Sequence, residues 1–479
     1  MRFRPTLRLL AAGVLVVLGA CSDRSSPTGD AELARQEAES RKMMGINVLT
    51  STAPTEAMLQ ELGAFGSVFD VMPEINAVIM LGKAAQLDAI RALSFVTSAE
   101  LDGEVTLDDP AAAPLASFLA GFSMWNMDAI NVTTGPGPNT RNPAFSETGK
   151  GVYIGVIDTG LLPTWRAYFH ADRIASEYAA AFVGGGAASQ GATPSPPGFW
   201  ENDQNTHGTH VTSTILGFSF SGTPITGVAP EATVIPVKVL NQNGSGWWSA
   251  IAQGVVHITR LKQNQLAEHP MVINMSLGSG PGGTTQPILK AAIDNAIKAG
   301  VIVVAAAGNN GEPGMGAPGS YAPVISVAAI GWNRQFATAS WWNGLNVVDP
   351  TRATDFFVAP FSSRARGTQD LDVSAPGVAV VGPAQTDAAH LLYQYFSGTS
   401  MAAPHVAGAV ALMAQRKNSL TAAEAESILE ESALEMSEAV APNCPAVSFG
   451  GPATPICWGA NATGHGILQV DKALGMITP

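Results

Sequence analysis

Residues 152–160 read VYIGVIDTG, an apolar run that ends in an aspartate, a threonine and a glycine. The apolar part carries no charge, which is typical of a strand that is buried on both faces of a sheet. Similar runs recur at 234–239, 271–275, 301–306 and 324–328, with helix-like segments at 249–261, 288–299 and 400–415. This alternation of buried strands and helices predicts an α/β fold with a mainly parallel sheet.

Three short motifs in this region carry reactive side chains. Asp158 ends the first strand, His207 opens the segment HGTH, and Ser400 lies within SGTSMAAPHVAG. In parallel sheets, binding and reacting groups lie at the carboxyl ends of the strands. Because Pro404 suits the first turn of a helix, we expect Ser400 at a helix N-terminus, where free N–H groups favour an anion. Taken singly the motifs stay ambiguous, since the aspartate could cap a turn and the histidine could be a base, a metal ligand or a structural residue.

Taken together, the three motifs resemble the subtilisin-like serine proteases, the subtilases, in which aspartate, histidine and serine occur in this order. Further motifs match the family in order, namely GVAP at 227–230, VKVL at 237–240, NMSLG at 274–278, AAGN at 306–309, DVSAPG at 372–377 and GHG at 464–466. The resemblance extends over residues 150–475. It implies the family's three-layer αβα architecture around the mainly parallel sheet.

The resemblance also implies a role for each matching residue. Ser400 would be the nucleophile, His207 its general base and acid, and Asp158 the group that orients the imidazole. Asn309 matches the side chain that binds the oxyanion together with the Ser400 backbone N–H. Two edge segments would pair with an extended peptide, and they comprise Gly244, Ser245 and Gly246 on one side and Ser276, Leu277 and Gly278 on the other. The implied activity is that of a serine endopeptidase that acts through an acyl-enzyme and requires no cofactor for catalysis.

Other interpretations stay open at this point. One alternative is a catalytically silent subtilase-fold scaffold that binds peptides. A sedolisin-type acid protease is disfavoured, because its pattern places a glutamate where His207 stands. One calcium site of the family uses an aspartate nine residues after the catalytic aspartate, and here that position is Ala167, so we expect that site to be absent. Structural calcium elsewhere is left open, since the sequence assigns no metal ligands.

The N-terminus has the pattern of an export signal. Arg2, Arg4 and Arg8 precede an apolar run at 9–18, which is too short to span a bilayer. The following LGAC resembles the bacterial lipoprotein box, so we expect a signal peptide at 1–20 and lipidation of Cys21. Acylation by more than one chain would anchor the protein to a membrane of the bacterial cell envelope, from which it could also be released. The alternative is an ordinary secretory signal with an incidental cysteine.

Composition and cysteine content agree with export. The chain of 479 residues is 46% apolar and 13% charged, which excludes a disordered protein. Its 25 basic and 38 acidic residues give a net charge of −13, which argues against nucleic acid as a partner. Cys444 and Cys457 are expected to form a disulfide in an oxidising compartment, with two free thiols as the alternative.

The region before the α/β domain is expected to contain a smaller one. Residues 21–44 are predicted to be a tether, and 45–107 show the order βαββαβ of a small ferredoxin-like α+β unit. This unit resembles the subtilase propeptide, an inhibitor and folding chaperone. A linker at 108–124 would hold the maturation site, and 125–479 would be the peptidase domain. We therefore expect a monomeric, self-processed zymogen whose partners are peptide substrates and its own propeptide.

Overall fold

The structure is a computed structural model. It describes residues 42–478 except for 108–112, 115–123, 135–138, 184–197, 221, 284–285, 336–346, 350, 385–391 and 448–451. The predicted signal peptide and Cys21 lie outside the described residues, as do most of the tether and most of the 108–124 linker. In the part of the chain that is described, no helix combines the length and the apolar character needed to cross a membrane.

The described strands and helices, in chain order, have the following bounds. The strands are β1 (Met43–Thr50), β2 (Gly66–Met72), β3 (Ala77–Lys83), β4 (Val96–Leu101), β5 (Glu104–Thr106), β6 (Ala113–Pro114), β7 (Tyr153–Asp158), β8 (Ala180–Ala181), β9 (Gly217–Phe220), β10 (Thr223–Thr226), β11 (Thr233–Lys238), β12 (Ser245–Trp247), β13 (Met271–Met275), β14 (Val301–Ala306), β15 (Ile325–Trp332), β16 (Phe356–Val358), β17 (Val373–Pro376), β18 (Val380–Ala384), β19 (Leu392–Phe396), β20 (Ala446–Val447) and β21 (Thr454–Pro455). The helices are α1 (Glu56–Gly63), α2 (Leu87–Arg91), α3 (Trp125–Ala129), α4 (His207–Leu216), α5 (Trp248–Gln263), α6 (Pro287–Lys298), α7 (Thr399–Arg416), α8 (Ala422–Ser432) and α9 (Val470–Gly475).

The first unit has the predicted order βαββαβ. Strands β1 to β4 form an antiparallel sheet with the spatial order β2-β3-β1-β4, the arrangement of a ferredoxin-like fold. Thr55 caps the first helix, because its side chain accepts a hydrogen bond from the N–H of Met58. The core between sheet and helices is formed by Ile46, Val48, Leu62, Val78, Met80 and Ile90.

The large sheet is mainly parallel, as predicted. Its strands follow the order β16-β15-β14-β13-β7-β11-β8, and β17 pairs with β15 as well. Only the pairing of β16 with β15 is antiparallel among these strands. The parallel direction brings the carboxyl ends of β7, β11, β13 and β14 to one edge of the sheet.

Both faces of the sheet are covered by helices, which produces the three layers. In β14, Ile302 and Val304 point into the core that contains α4 and α7, whereas Val301 and Val303 point into the core that contains α5 and α6. Successive side chains of a strand alternate between faces, so a strand that is apolar at every position must be buried on both sides. The uncharged run that ends at Asp158 is apolar for the same reason, because β7 is also buried on both sides.

Candidate active site

The aspartate and the histidine of the predicted triad lie in direct contact. Asp158 is the last residue of β7, and His207 is the first residue of α4. The Nδ1–H of His207 donates to the Asp158 carboxylate, with distances of 2.8 Å to Oδ1 and 3.0 Å to Oδ2. The N–H of Thr159 also donates to Asp158 Oδ1 at 2.7 Å. Asp158 is fully buried and His207 is 2% exposed, so this pair is shielded from water.

Ser400 is the second residue of α7 and lies past the carboxyl end of β13, the strand next to β7. Its Oγ donates to the carbonyl of Ser276 at 3.1 Å, and the Ser276 hydroxyl donates to the Ser400 carbonyl at 2.7 Å. Helix α4, which begins with His207, packs against α7. The nucleophile candidate and the histidine therefore lie at the starts of two adjoining helices, above the same edge of the sheet.

The expected position of Pro404 in the helix was wrong by one turn. Because α7 begins at Thr399, Pro404 lies inside the helix, in its second turn. Proline has no N–H, so the carbonyl four residues earlier, that of Ser400, has no intrahelical donor. The Ser276 hydroxyl supplies the missing hydrogen bond. Because of the proline, the Ser400 carbonyl is available to the Ser276 hydroxyl, and this hydrogen bond links Ser400 to the end of β13.

Asn309 lies three residues after β14 and faces the start of α7. Its Oδ1 accepts hydrogen bonds from the N–H of Thr399 at 2.8 Å and from the Thr399 hydroxyl at 2.9 Å. These two bonds fix the orientation of the amide, since an oxygen accepts and an NH2 group cannot. The preceding Gly308 has a φ of 105°, a conformation that suits glycine. Asn309 is therefore anchored to the residue that directly precedes Ser400.

One of the two predicted substrate-binding segments is paired with the chain itself. In β12, Ser245 and Gly246 lie opposite Thr106 and Val105 of β5 in an antiparallel ladder. The N–H of Leu107 donates to the carbonyl of Gly244 at 2.8 Å. The other segment, Ser276 to Gly278, directly follows β13 and includes the serine that contacts Ser400. The end of the ferredoxin-like unit thus occupies the strand edge that the resemblance assigns to substrate.

Asp102 is an important contact of the ferredoxin-like unit that the sequence did not reveal. It is 3% exposed, and its carboxylate accepts from the N–H of Ser249 at 3.1 Å and from the Ser249 hydroxyl at 2.5 Å. Ser249 is the second residue of α5, so the carboxylate caps that helix from another unit of the chain. A second contact pairs Glu74 with Arg260 at 2.7 Å on the exposed side of the same helix. No sequence spacing relates 102 to 249, which is why the cap was missed.

The two other histidines of the motifs have structural partners. His210 donates to the carbonyl of Val380 at 3.0 Å and stacks on Phe396, and burial lowers its pKa to about 3. His405 donates from Nδ1 to the carbonyl of Met401 and accepts from Asn126 at Nε2, and burial lowers its pKa to about 4. Both imidazoles are therefore neutral at neutral pH.

The surroundings of Ala167 do not fit a calcium ion. Ala167 lies in the wall of a cavity of about 630 Å³ whose charged lining residues are Arg141, Arg166 and Arg173, with His170 beside them. None of the described residues that line the cavity is an aspartate or a glutamate. Calcium takes oxygen ligands, mostly from carboxylates and carbonyls, and guanidinium groups would repel it. The absence of this calcium site stays a prediction.

Three carboxylates meet elsewhere, near the end of the chain. Asp370, Asp372 and Glu426 have oxygen atoms within 4.8 Å of one another. Asp372 is 1% exposed, and its Oδ2 accepts from the N–H and the hydroxyl of Ser326. Its Oδ1 is buried and has no hydrogen-bond partner among the described residues. Burial, with the neighbouring acids, raises the pKa of Asp372 to about 6 and that of Glu426 to about 7.

Comparison with known proteins places these findings in a family. The model of the Subtilase family, Peptidase_S8, matches residues 149–470. Subtilisin DY from Bacillus licheniformis is 36% identical over 296 residues, which cover 60% of this chain and 86% of the relative. Subtilisin E from Bacillus subtilis strain 168 is 34% identical over 290 residues, and the match spans 60% of this chain and 61% of the relative.

A solved structure shows the same fold over most of the chain. Fervidolysin from Fervidobacterium pennivorans, described as a keratinolytic enzyme related to subtilisin, superposes with a TM-score of 0.63 at 22% identity. The superposition covers 92% of this chain and 62% of that one. The family match includes the large sheet, helices α4 to α8 and all three motif residues. The chain therefore belongs to the subtilase family of serine endopeptidases.

Proposed function

We propose that this subtilase cleaves peptide bonds with Ser400 as nucleophile, His207 as general base and Asp158 as the group that holds the imidazole. The observation that carries the proposal is the buried contact of His207 Nδ1 with Asp158, 2.8 Å long, at the sheet edge where α7, the helix of Ser400, begins. This contact leaves Nε2 as the ring nitrogen that can accept a proton. An aspartate in this position favours that tautomer and stabilises the imidazolium that forms.

The chemistry then follows from these groups. Ser400 Oγ attacks the carbonyl carbon of the substrate while its proton moves to His207 Nε2. The carbonyl oxygen becomes an oxyanion, which the N–H of Ser400 and the Nδ2 of Asn309 stabilise. When the intermediate collapses, His207 gives the proton to the leaving amine and the acyl-enzyme remains. Water then attacks the ester and loses a proton to His207. When the second intermediate collapses, the acid is released and His207 returns the proton to Ser400 Oγ.

A fluorophosphonate probe tests this proposal directly, because it reacts with an activated serine. The purified protein and its Ser400→Ala variant are labelled and their intact masses are compared. We expect one adduct on the wild type and none on the variant. A wild-type protein that is free of residues 45–107 and still unlabelled would instead favour the peptide-binding scaffold.

We also propose that the chain is exported through a lipoprotein signal, is acylated at Cys21, and is made as a zymogen. Residues 45–107 would be its propeptide, cut by the enzyme itself between Leu107 and Trp125. Two contacts support self-processing, because they hold the residues at both ends of the segment 107–113 against the peptidase domain. Leu107 is bonded to Gly244, and Ala113 pairs with Tyr395 in the strand that precedes Ser400. A mature protein whose intact mass corresponds to an N-terminus after residue 107 would support the proposal.

The capping contact of Asp102 should dominate propeptide binding. We expect Asp102→Ala to raise the residual activity of the freshly processed complex by about tenfold or more, since a buried hydrogen bond to a charged group contributes about 1.5–3 kcal/mol. The assay follows hydrolysis of a fluorogenic peptide by the full-length protein as it matures. Glu74→Gln is the matched control, and we expect less than about fivefold because its ion pair with Arg260 is exposed. Equal effects of the two variants would contradict the proposal that the Asp102 contact dominates propeptide binding.

We further propose that Asp370, Asp372 and Glu426 hold a structural divalent cation of the calcium type. Calcium binds carboxylate oxygens, and a cation at this point would give the buried Oδ1 of Asp372 a partner. It would also neutralise the mutual repulsion of three acids that lie within 4.8 Å. The reaction described above uses none of these groups, so the cation would act on stability.

Without the cation, the stability of the protein should fall as the pH rises. The pKa values of Asp372 and Glu426 are raised to about 6 and about 7, so between their ordinary and raised values the folded chain binds more protons than the unfolded chain. The free energy of unfolding therefore decreases through this window. We expect the melting temperature in a chelator to be lower at pH ~8 than at pH ~5, and calcium to restore it at the higher pH.

Calorimetry on Ser400→Ala, which avoids self-digestion, measures this effect. In that background Glu426→Gln should lose most of the calcium response, whereas Glu435→Gln, an exposed acid just beyond the same helix, should keep it. Identical melting temperatures in chelator and in calcium at pH ~8 would exclude the cation site.

A further inference from the structure

Two buried charged residues, Asp203 and Lys238, lie beside the proposed triad and have no part in the mechanism above. Asp203 is 1% exposed and Lys238 is 2% exposed. A charge buried in a protein is costly unless other groups stabilise it, so side chains of this kind are seldom incidental. Both are held by several hydrogen bonds to the segments that carry Asp158 and His207.

Asp203 holds the turn that leads into His207. Its Oδ1 accepts from the N–H groups of Asn205 at 3.0 Å and Thr206 at 2.8 Å. Its Oδ2 accepts from the hydroxyl of Thr209 at 2.9 Å. The carboxylate thus binds the backbone before His207 and the first turn of the helix after it.

The backbone at Thr206 needs such a clamp. Its φ is 79°, in the left-handed region that residues other than glycine seldom adopt. Thr206 directly precedes His207, so a relaxation of this angle would move the imidazole. The hydrogen bond from the Thr206 N–H to Asp203 stabilises the strained conformation.

Lys238 holds the strand end that carries Asp158. It is the last residue of β11 and lies in register opposite Asp158 of β7. Its Nζ donates to the carbonyl of Thr159 at 2.6 Å and to that of Leu240 at 2.8 Å. The hydroxyl of Thr159 in turn accepts from the N–H of Gly208, next to His207. The ammonium therefore ties the end of β7 to its neighbour, one residue from Asp158.

The charges of these groups are also coupled. Burial raises the pKa of Asp203 and lowers that of Lys238, and the attraction between the two opposes both shifts. The negative charge of Asp158 attracts the ammonium as well. One lysine thus compensates two carboxylates, of which one belongs to the triad.

We propose that Asp203 and Lys238 are positioning residues for the hydrolytic reaction. Asp203 holds the turn that places His207, and Lys238 holds the strand end that places Asp158 and partly offsets its charge. The inference rests on the proposed function, because it assumes that His207 is the base. It adds a polar network beneath the triad that acts on the reaction without contact with substrate.

The network should affect the pH dependence of the reaction as well as its rate. The acid limb of kcat/KM follows protonation of the free enzyme's base. The titratable groups nearest to His207 are Asp158, which contacts it, and His210 of its own helix, while Asp203 and Lys238 hold the segments that carry His207 and Asp158. Replacement of Lys238 removes a positive charge near His207. Protonation of the base then becomes easier, and the acid limb moves to higher pH. Loss of the Asp203 charge moves it to lower pH.

The experiment compares Asp203→Asn, Asp203→Ala and Lys238→Met in the mature protein, assayed with a fluorogenic peptide between pH ~5 and ~9. Asparagine retains an oxygen for the two N–H groups but has no charge, so Asp203→Asn should move the acid limb down by about 0.5–1 pH unit with kcat within about fivefold. Lys238→Met should move the limb up by a similar amount. Asp203→Ala removes the clamp, and its kcat should fall by about 10–100-fold at nearly constant KM.

Two further variants separate positioning from general effects. Thr206→Gly in the Asp203→Ala background should recover part of kcat, since glycine adopts the left-handed conformation without a clamp. Asp172→Asn removes an exposed acid paired with Arg173 and should leave the acid limb in place.

The outcomes are distinguishable. If the variants lower the melting temperature but keep the kcat and acid limb of the wild type, the pair is only structural and the inference is wrong. If Asp203→Ala does not mature, the opposite shifts expected of Asp203→Asn and Lys238→Met decide the question, and shifts in the same direction overturn the inference. A wild type that neither cleaves peptide nor reacts with fluorophosphonate would instead overturn the proposed function.

Discussion

Replacement of Ser400 by alanine is expected to lower kcat for peptide hydrolysis by about 10⁶-fold, the size of the loss that removal of the nucleophile causes in subtilisin. The variant keeps the Asn309 donor and the His207–Asp158 pair, but it has no oxygen that can form an acyl-enzyme. Steady-state hydrolysis of a fluorogenic peptide measures the change. Self-processing should stop as well, so the purified variant should retain residues 45–107 in one chain with the peptidase domain.

A neighbouring serine provides the control for this experiment. Ser397 lies three residues earlier and accepts a hydrogen bond from the N–H of Ala379 at 2.9 Å. Ser397→Ala should still mature and react with the fluorophosphonate probe. A Ser400→Ala protein that processes itself in a protease-deficient host would show that another group is the nucleophile.

The second large effect is expected at Asn309. Asn309→Ala should lower kcat by about 10²–10³-fold and leave KM nearly unchanged, as loss of the corresponding donor does in subtilisin. The reason is that the amide donates to an oxygen that is negative only in the transition state, so the ground-state complex loses little. The comparison of kcat and KM on one peptide substrate measures both expectations.

The role of Asn309 in holding Thr399 must be separated from its role as a donor. Asn309→Asp retains an oxygen for the N–H and hydroxyl of Thr399 but has no donor, so we expect it to be at least as impaired as Asn309→Ala. Asn310→Ala, one residue further, should stay within about fivefold of the wild type, because its side chain is assigned no part in the reaction. An Asn309→Asp protein with wild-type kcat would exclude the oxyanion role.

The architecture could be predicted from local patterns. Strands β7, β11, β13 and β14 were expected within a residue or two of their observed bounds, because runs that are apolar at nearly every position are buried on both faces of a sheet. The βαββαβ order of the first unit was predicted correctly for a similar reason, since its apolar residues alternate in strands and follow helical spacing between them. Turn-level detail was harder to predict, and Pro404 was placed one turn too early because the first residue of α7 could not be read from the sequence.

The sequence by itself determined the α/β class, the order of aspartate, histidine and serine, and the family to which these motifs point. The tertiary structure alone decided which side chains meet. His207 and Asp158 are 49 residues apart, Ser276 and Ser400 are 124 apart, and Asp102 and Ser249 are 147 apart. Local propensity carries no information over such separations. These contacts form only when the parallel sheet brings its carboxyl ends to one edge and the helices pack against it.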